Sequence, residues 1–298
     1  MNPKELGALV LLGALWGGSF LFIRIAVPAL GPFVLMELRV GLAAVALAFY
    51  AIVLTRLPHL RTRWKKFLAI GALNAAIPFS LIATAEVYLT ASLAAILNST
   101  TALFAAMVAA AWMGEALTAK KVVGLVMGIS GVTVLVGWTP IALSGVVLLA
   151  VGAMLTASFS YALGGVYVKR TFAGVPPLAM AIGQQTGAAA LLLPLAAATL
   201  PAEAPSLTVA FSVLGLALLC TAFAYLLYFY LIENAGPTKT LTVTFLIPVF
   251  GLAFGVLFLG EPVGVGTLVG LGIILLSVAL VTGVRFGGVT GRTKQEAA

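Results

Sequence analysis

The sequence predicts an all-α polytopic membrane protein with ten transmembrane helices, arranged as two inverted repeats of five helices. Three observations predict this fold: the composition, a series of ten apolar segments, and an internal repeat. Hydrophobic residues make up 62% of the 298 residues, charged residues make up 8%, and the mean hydropathy is +1.20. A soluble domain is about 45–50% apolar and about 25% charged. This chain has too little polar material to cover a soluble fold.

Ten apolar segments follow one another along the chain with short linkers between them. Each has a length close to the roughly 20 residues that a membrane span needs. Helices are expected, because a helix satisfies its own backbone hydrogen bonds in lipid. The segments are 6–27, 33–55, 67–89, 92–113, 119–137, 143–167, 176–199, 208–232, 239–259 and 263–284.

The basic residues predict how these segments are oriented. Of the 16 lysines and arginines, all fall on one side of the ten-span arrangement except Arg24 and Arg39, which lie inside spans. Basic loops face the cytoplasm, so we expect a multi-pass protein of the bacterial inner membrane with both termini cytoplasmic. The net charge of +8 is then explained by cytoplasmic loops, and no nucleic-acid partner is predicted. The basic residues of the cytoplasmic side are Lys4, Arg56, Arg61, Arg63, Lys65, Lys66, Lys120, Lys121, Lys169, Arg170, Lys239, Arg285, Arg292 and Lys294.

The two halves of the sequence resemble each other. Gly114-Glu115 follows the fourth segment and Gly260-Glu261 follows the ninth, with matching glycines downstream. We therefore predict a first repeat over residues 1–140, a second over 141–284, and a cytoplasmic tail over 285–298. Five spans per repeat is an odd number, so the repeats have opposite orientations in the bilayer. Inverted repeats are typical of alternating-access transporters, which bind substrate near the midplane.

Few residues are available for metal binding or catalysis. The chain has no aspartate, one histidine (His59) and one cysteine (Cys220). Metal clusters and nucleophilic active sites need more of these residue types at one place. We therefore expect no enzyme activity, no metal and no organic cofactor.

Several short motifs resemble one family. They are Trp16-Gly17-Gly18-Ser19-Phe20, Arg39, Gly114-Glu115, and Pro248 followed by Gly260-Glu261. Together they resemble the EamA-type branch of the drug/metabolite transporter superfamily, and within it the bacterial YddG-like amino-acid exporters. The resemblance implies a basket of spans one to four and six to nine around a central cavity, and efflux of small metabolites, amino acids among them.

Four charged residues are predicted near the outer ends of the first three spans: Arg24, Glu37, Arg39 and Glu86. Buried charges in membranes are costly and usually functional. Arg24 and Glu37 flank the Pro28–Pro32 hairpin at a similar depth in the membrane. They can therefore form an ion pair across it. The group is either a static ion-pair cluster or an outer gate that breaks and reforms during transport.

The candidate substrate-binding residues are aromatic and hydrogen-bonding side chains within spans. Thr221, Tyr225 and Tyr228 fall on one helical stripe, and aromatic faces bind rings or ammonium groups. The alternative for each is packing, an interfacial belt or an interhelical hydrogen bond. The predicted set is Trp16, Ser19, Phe79, Asn98, Thr101, Ser158, Thr221, Tyr225, Tyr228 and Thr244.

Two prolines lie within predicted spans. Pro78 leaves the Asn74 carbonyl without its backbone donor, and Pro248 does the same to Thr244. The freed carbonyl either binds cargo or is satisfied locally by water or a hydroxyl.

The chain is thus predicted to export small neutral metabolites, most simply aromatic amino acids, methionine or threonine, by alternating access through a central uncharged cavity. The competing hypothesis is export of drug-like amines or purines. The predicted partners are the small-molecule substrate and the lipid bilayer, with the protein a monomer or weak homodimer.

Overall fold

The computed structural model describes residues 1–54, 61–138 and 144–283. The predicted repeat boundary at 140/141, the tail 285–298, Arg56 and His59 lie outside these ranges. The described residues form helices, with no strand among them. The main helices are α1 (Pro3–Val53), α2 (Trp64–Glu86), α3 (Ala91–Met113), α4 (Ala119–Gly137), α5 (Gly145–Thr171), α6 (Pro177–Ala198), α7 (Leu207–Asn234), α8 (Val243–Leu259) and α9 (Val265–Thr282).

Eight of these helices are long and apolar enough to cross a membrane, and α8, with 17 residues, is a shorter apolar helix. This architecture confirms a polytopic helical membrane protein. The 51 residues of α1 cover both the first and the second predicted segments. α1 is interrupted at Gly31, whose φ of 69° and ψ of 164° are not helical. Glycine adopts this left-handed φ without a steric penalty, so α1 consists of two helical arms.

Helix ends follow local capping chemistry. Asn2 and Glu5 form a reciprocal capping box at the start of α1, and the Thr90 hydroxyl accepts from the Leu93 amide at the start of α3. Gly114 ends α3 and Gly260 ends α8, both with left-handed φ. These caps satisfy groups that a helix end would otherwise leave unpaired.

Two helices contain a π-helical turn, which is a register of i to i+5 hydrogen bonds. In α2 it covers Ala72–Ala76, directly before Pro78. In that register the missing amide of Pro78 leaves the Leu73 carbonyl free, and the Ser160 hydroxyl donates to it over 2.8 Å. The sequence prediction assumed an α-helical register and therefore named the Asn74 carbonyl as the free one. In the structure the free carbonyl is that of Leu73, and a nearby hydroxyl satisfies it.

Glycines allow the closest helix crossings. α4 packs along α9, where a Cβ on Gly124 would lie 2.6 Å from Val281 Cγ2 and one on Gly270 would lie 2.7 Å from Leu135 Cβ. α1 crosses α8 at Gly17, where a Cβ would lie 2.8 Å from the Ile247 carbonyl oxygen. These glycines serve internal packing.

Helices from the two parts of the chain interlock. α1 packs against α6, α7 and α8, α2 packs against α5 and α6, and α3 packs against α5 and α8. The buried core is therefore shared between residues before 138 and residues after 144. Any site inside it is built from both parts.

Candidate substrate-binding site

Arg39 lies at the centre of a buried contact between α1, α2 and α7. Its side chain is only 5% exposed. The Nε atom donates to the Thr221 hydroxyl oxygen over 3.0 Å. The guanidinium carbon lies 3.7 Å from the centroid of the Phe79 ring, which is a close cation–π contact. Three residues far apart in the sequence therefore meet at one point.

Thr221 is fixed by the π-helical turn of α7, which covers Gly215–Phe223. Its hydroxyl donates to the Leu216 carbonyl over 2.8 Å, and its oxygen accepts from Arg39. A hydroxyl has one proton and two acceptor positions. Its only proton is thus committed to its own helix, which leaves its oxygen to orient the guanidinium.

A second polar network continues from Tyr225, one helical turn after Thr221. The Gln184 amide nitrogen donates to the Tyr225 hydroxyl over 2.6 Å. Gln184 in turn accepts from the Asn74 amide over 3.3 Å. Because the Tyr225 oxygen accepts this bond, its own proton remains available to another acceptor. Asn74 lies in the π-helical turn of α2, so both π turns border this polar region.

Aromatic rings connect to these polar groups. Phe79 packs edge-on against Tyr161 of α5 with centroids 6.3 Å apart. Trp16 contacts Tyr228 at 5.6 Å, and Phe229 contacts both Tyr225 at 5.9 Å and Tyr228 at 5.7 Å. The predicted stripe of Thr221, Tyr225 and Tyr228 thus contacts partners from α1 and α6.

The other predicted side chains are less connected. Ser19 donates to the Trp16 carbonyl, Thr101 to that of Asn98, and Thr244 to that of Leu241, each within its own helix segment. Hydroxyls in helices commonly make such bonds. The Asn98 side-chain oxygen and the Ser158 hydroxyl are buried without a hydrogen-bond partner among the described residues. The hydrogen bonds and ring contacts of the described residues do not link these five to Arg39.

The predicted outer charge group differs from the structure. Arg24 donates from one Nη to the backbone carbonyls of Glu86 and Val87, the latter over 3.1 Å. These carbonyls lie at the end of α2, where a helix leaves acceptors unpaired. The expected Arg24–Glu37 pair does not form, since the ion pairs of the described residues join Glu115 to Lys121 and Lys169.

Arg39 contacts Thr221 and Phe79, two of the predicted substrate-binding residues, and it also interacts electrostatically with Glu86 of the predicted charge group. An uncharged cavity stays a prediction, and this cluster includes one charged residue. Glu86 is fully buried, and neither carboxyl oxygen has a hydrogen-bond partner among the described residues. Arg24 binds only the backbone at Glu86, not its carboxyl group.

The predicted set lacks three residues that contact the cluster, namely Tyr161, Asn74 and Gln184. Outside the cluster, sequence reasoning also missed the contact between Ser92 and Glu261. Glu261 accepts from the Ala91 amide over 2.7 Å and from the Ser92 amide over 2.9 Å, and the Ser92 hydroxyl also donates to it. The threonine before Ala91 signals a helix start, but nothing local indicates a partner 170 residues away.

A groove of about 360 Å³ between α1 and α7 does not coincide with this site. It is lined by aliphatic and aromatic side chains such as Leu47, Tyr50 and Leu226, and it contains none of the predicted binding residues. The buried polar cluster, and not this groove, holds the groups that can recognise a polar solute.

The fold and the buried polar cluster define a class, that of polytopic helical membrane proteins with polar groups buried between their helices. The sequence model of the EamA-like transporter family matches residues 4–137 and matches again over 148–283. The chain belongs to this family, in the drug/metabolite transporter superfamily, and is a membrane transporter.

Individual relatives agree with this assignment. The uncharacterized transporter YvbV of Bacillus subtilis is 29% identical over 286 residues, covering 94% of this chain and 92% of its own. An uncharacterized transporter of Archaeoglobus fulgidus is 24% identical, covering 93% and 98%. The uncharacterized inner membrane transporter YedA of Escherichia coli K12 is 28% identical, covering 93% and 90%. These names state no substrate, so the YddG-like subgroup and amino-acid cargo stay predictions.

A solved crystal structure has the same fold. It superposes with a TM-score of 0.68 at 18% sequence identity, covering 94% of this chain and 96% of the other. At this identity the likeness concerns the fold alone.

Proposed function

We propose that this transporter has ten membrane spans in two inverted five-helix repeats. It exports small neutral metabolites, namely amino acids such as the aromatic ones, methionine or threonine, by alternating access. A continuous helix of 51 residues would be about 77 Å long at about 1.5 Å per residue, more than twice the roughly 30 Å hydrocarbon core. The break at Gly31 supports two separate spans instead. The 17 residues of α8 reach the short end of the range for a span, roughly 17–25 residues. The two family matches support two repeats.

The observation that carries the cargo proposal is the cluster of Arg39, Phe79, Thr221, Tyr225 and Gln184. It combines aromatic surface with hydrogen-bonding groups. Small-molecule sites have this character, with apolar walls and a few placed polar groups. An aromatic or thioether side chain fits the rings, and the polar end of an amino acid fits the hydrogen-bonding groups.

The competing cargo, a drug-like amine, is disfavoured by the same cluster. Arg39 occupies the face of Phe79, so that aromatic surface is already engaged by a cation. A second cation beside it would be repelled in a low-dielectric interior.

For localisation, the relative YedA supports the bacterial inner membrane. The basic loops support cytoplasmic termini.

The test is transport of labelled L-phenylalanine, L-methionine and L-threonine into proteoliposomes that contain the full chain. We expect saturable uptake of at least one of them above protein-free vesicles. Trp16→Ala removes the ring contact with Tyr228 and should lower uptake, whereas Trp64→Ala changes a tryptophan that is 54% exposed and should not. No uptake of any of the three would end the amino-acid proposal.

A further inference from the structure

The charge of Arg39 has no carboxylate partner in the part of the chain that the structure describes. The ion pairs there involve Glu115 alone among the acids. Glu86 is close enough to interact electrostatically with Arg39 but forms no ion pair with it. Glu37 stands two residues before Arg39, and its Oε2 atom is buried without a hydrogen-bond partner. A buried charge that lacks a partner is costly.

The guanidinium uses only part of its donor capacity. Arginine carries five N–H donors in a planar fork, and in Arg39 only Nε makes a hydrogen bond among the described residues. The guanidinium carbon lies over the Phe79 ring. Neither Nη atom makes a hydrogen bond among the described residues, so both remain available to an acceptor.

The surroundings hold this arginine in place without forming an ion pair with it in the described part of the chain. Thr221 orients Nε, and Tyr161 and Tyr225 lie within electrostatic range of the guanidinium. The Tyr225 hydroxyl already accepts from Gln184, so its proton can be donated. Guanidinium and hydroxyl donors together form the kind of preorganised set that binds a carboxylate.

We infer that Arg39 is the carboxylate-binding residue of this transporter, and that its cargo must carry a carboxylate group. This inference rests on the proposed function, which gives amino acids as the cargo class. It restricts the cargo to solutes with a carboxylate, because amines and uncharged solutes of the same size lack the group that Arg39 binds. A cargo carboxylate supplies the missing ion-pair partner only while cargo is bound. Arg39 therefore forms an ion pair only when cargo occupies the binding site.

Arg170 provides a matched comparison within the same chain. It also lies over an aromatic ring, with its guanidinium carbon 5.5 Å from the Trp112 centroid, and it donates to the Trp112 carbonyl. Arg170 is exposed. It shares the ring contact of Arg39 but not the burial that makes a missing counter-charge costly.

The test is equilibrium binding of three probes to the purified full chain in lipid nanodiscs. L-Phenylalanine carries an amine and a carboxylate, 3-phenylpropionate carries only the carboxylate, and 2-phenylethylamine carries only the amine. In Arg39→Gln we expect Kd for both carboxylate probes to rise at least about tenfold, equivalent to about 1.4 kcal/mol. Kd for the amine should not rise, because this variant removes the positive charge that repels a second cation. Arg170→Gln should bind all probes like the wild type.

Arg39→Lys separates charge from geometry and serves if Arg39→Gln does not fold. Lysine keeps the charge but lacks the planar fork, so carboxylate binding should weaken while amine binding stays unchanged. A purely structural role for Arg39 predicts a lower melting temperature and equal weakening for all three probes, which would overturn the inference. Failure of both carboxylate probes to bind the wild type would overturn it too.

The same measurements distinguish this inference from the proposed function. If 3-phenylpropionate binding depends on Arg39 but no amino acid is transported, the inference stands and amino-acid export falls. If Arg39→Gln transports and binds phenylalanine like the wild type, export stands and the inference falls.

Discussion

Glu261 and Glu115 each follow a glycine that ends a helix, yet only Glu261 is buried against the start of another helix. Glu261 is 9% exposed and accepts from the amides of Ala91 and Ser92 at the start of α3. Glu115 is exposed and lies 3.6 Å from Lys121 and from Lys169. Equivalent motifs in the two halves of the sequence therefore occupy different environments.

Glu261→Gln should destabilise the protein, whereas Glu115→Gln should not. Glutamine lacks the negative charge of the Glu261 carboxylate, which accepts hydrogen bonds from two backbone N–H groups of α3 and from the Ser92 hydroxyl. Hydrogen bonds to a charged group contribute about 1.5–3 kcal/mol, and the free energy of unfolding should fall by a comparable amount. An exposed ion pair contributes about 0–1 kcal/mol. Thermal and denaturant unfolding in detergent measures both, and equal effects of the two variants would contradict the prediction.

Gly71→Ala should disrupt the crossing of α2 and α6. A Cβ at Gly71 would lie 2.5 Å from the Ala188 amide nitrogen and 2.8 Å from the Gln184 carbonyl oxygen, and backbone atoms cannot move aside cheaply. We expect a loss of about 1–3 kcal/mol, typical of overpacking. The control is Gly152→Ala, at an exposed helical position where a Cβ meets nothing within 4 Å. It should be neutral or slightly stabilising, and a similar loss at both positions would refute the steric argument.

Much of the fold is predictable because its signals are local. Apolar run lengths, capping residues such as Thr90 and the glycine at 114 mark helices within a few residues. The break in α1 falls at Gly31, inside the hairpin that Pro28 and Pro32 indicate. Each of these features depends on a handful of neighbouring residues.

The site is less predictable because its contacts are distant in sequence. The bond from Arg39 to Thr221 spans 182 residues. Because Arg39 lies near the start of a predicted span, we predicted that its charge belongs to the outer group. The partners of such a long side chain depend on how the helices pack, which the position in the sequence does not indicate. Aromatic and hydroxyl residues on one stripe, such as Thr221 and Tyr225, were recognisable as candidates. Their arginine partner was not.

Ser160→Ala should lower the free energy of unfolding, because it leaves the carbonyl freed by Pro78 without a donor. The Ser160 hydroxyl donates to the Leu73 carbonyl, and losing one such bond costs about 1 kcal/mol. In the Pro78→Ala background the restored backbone amide can donate instead, so Ser160→Ala should then cost less. Unfolding free energies in a double-mutant cycle measure this coupling. Additive effects would mean that the two residues do not serve the same carbonyl.

A matched serine controls for the loss of a hydroxyl in general. Ser130 is exposed and donates to the Val126 carbonyl of its own helix over 3.1 Å. Ser130→Ala leaves that carbonyl in an intact α-helix, so its unfolding free energy should change by less than about 0.5 kcal/mol.

Single-cysteine labelling tests the orientation that the basic loops predict. Cys220 is buried, so Cys220→Ala provides a background without a native thiol. Glu203→Cys lies between α6 and α7 on the predicted outer side, and Lys120→Cys lies at the start of α4 on the predicted cytoplasmic side. Both positions are exposed. A membrane-impermeant maleimide added to intact cells should label residue 203 and not residue 120, because lysine and arginine loops are retained in the cytoplasm.

Permeabilising the cells should make both positions react, which shows that residue 120 was shielded by the membrane and not by the fold. Labelling of residue 120 but not residue 203 in intact cells would show that the orientation is opposite to the predicted one. Labelling of both or neither would contradict the ten-span count, because three crossings by α4, α5 and α6 place residues 120 and 203 on opposite sides of the bilayer. The outcome therefore checks three helices and the basic-loop argument together.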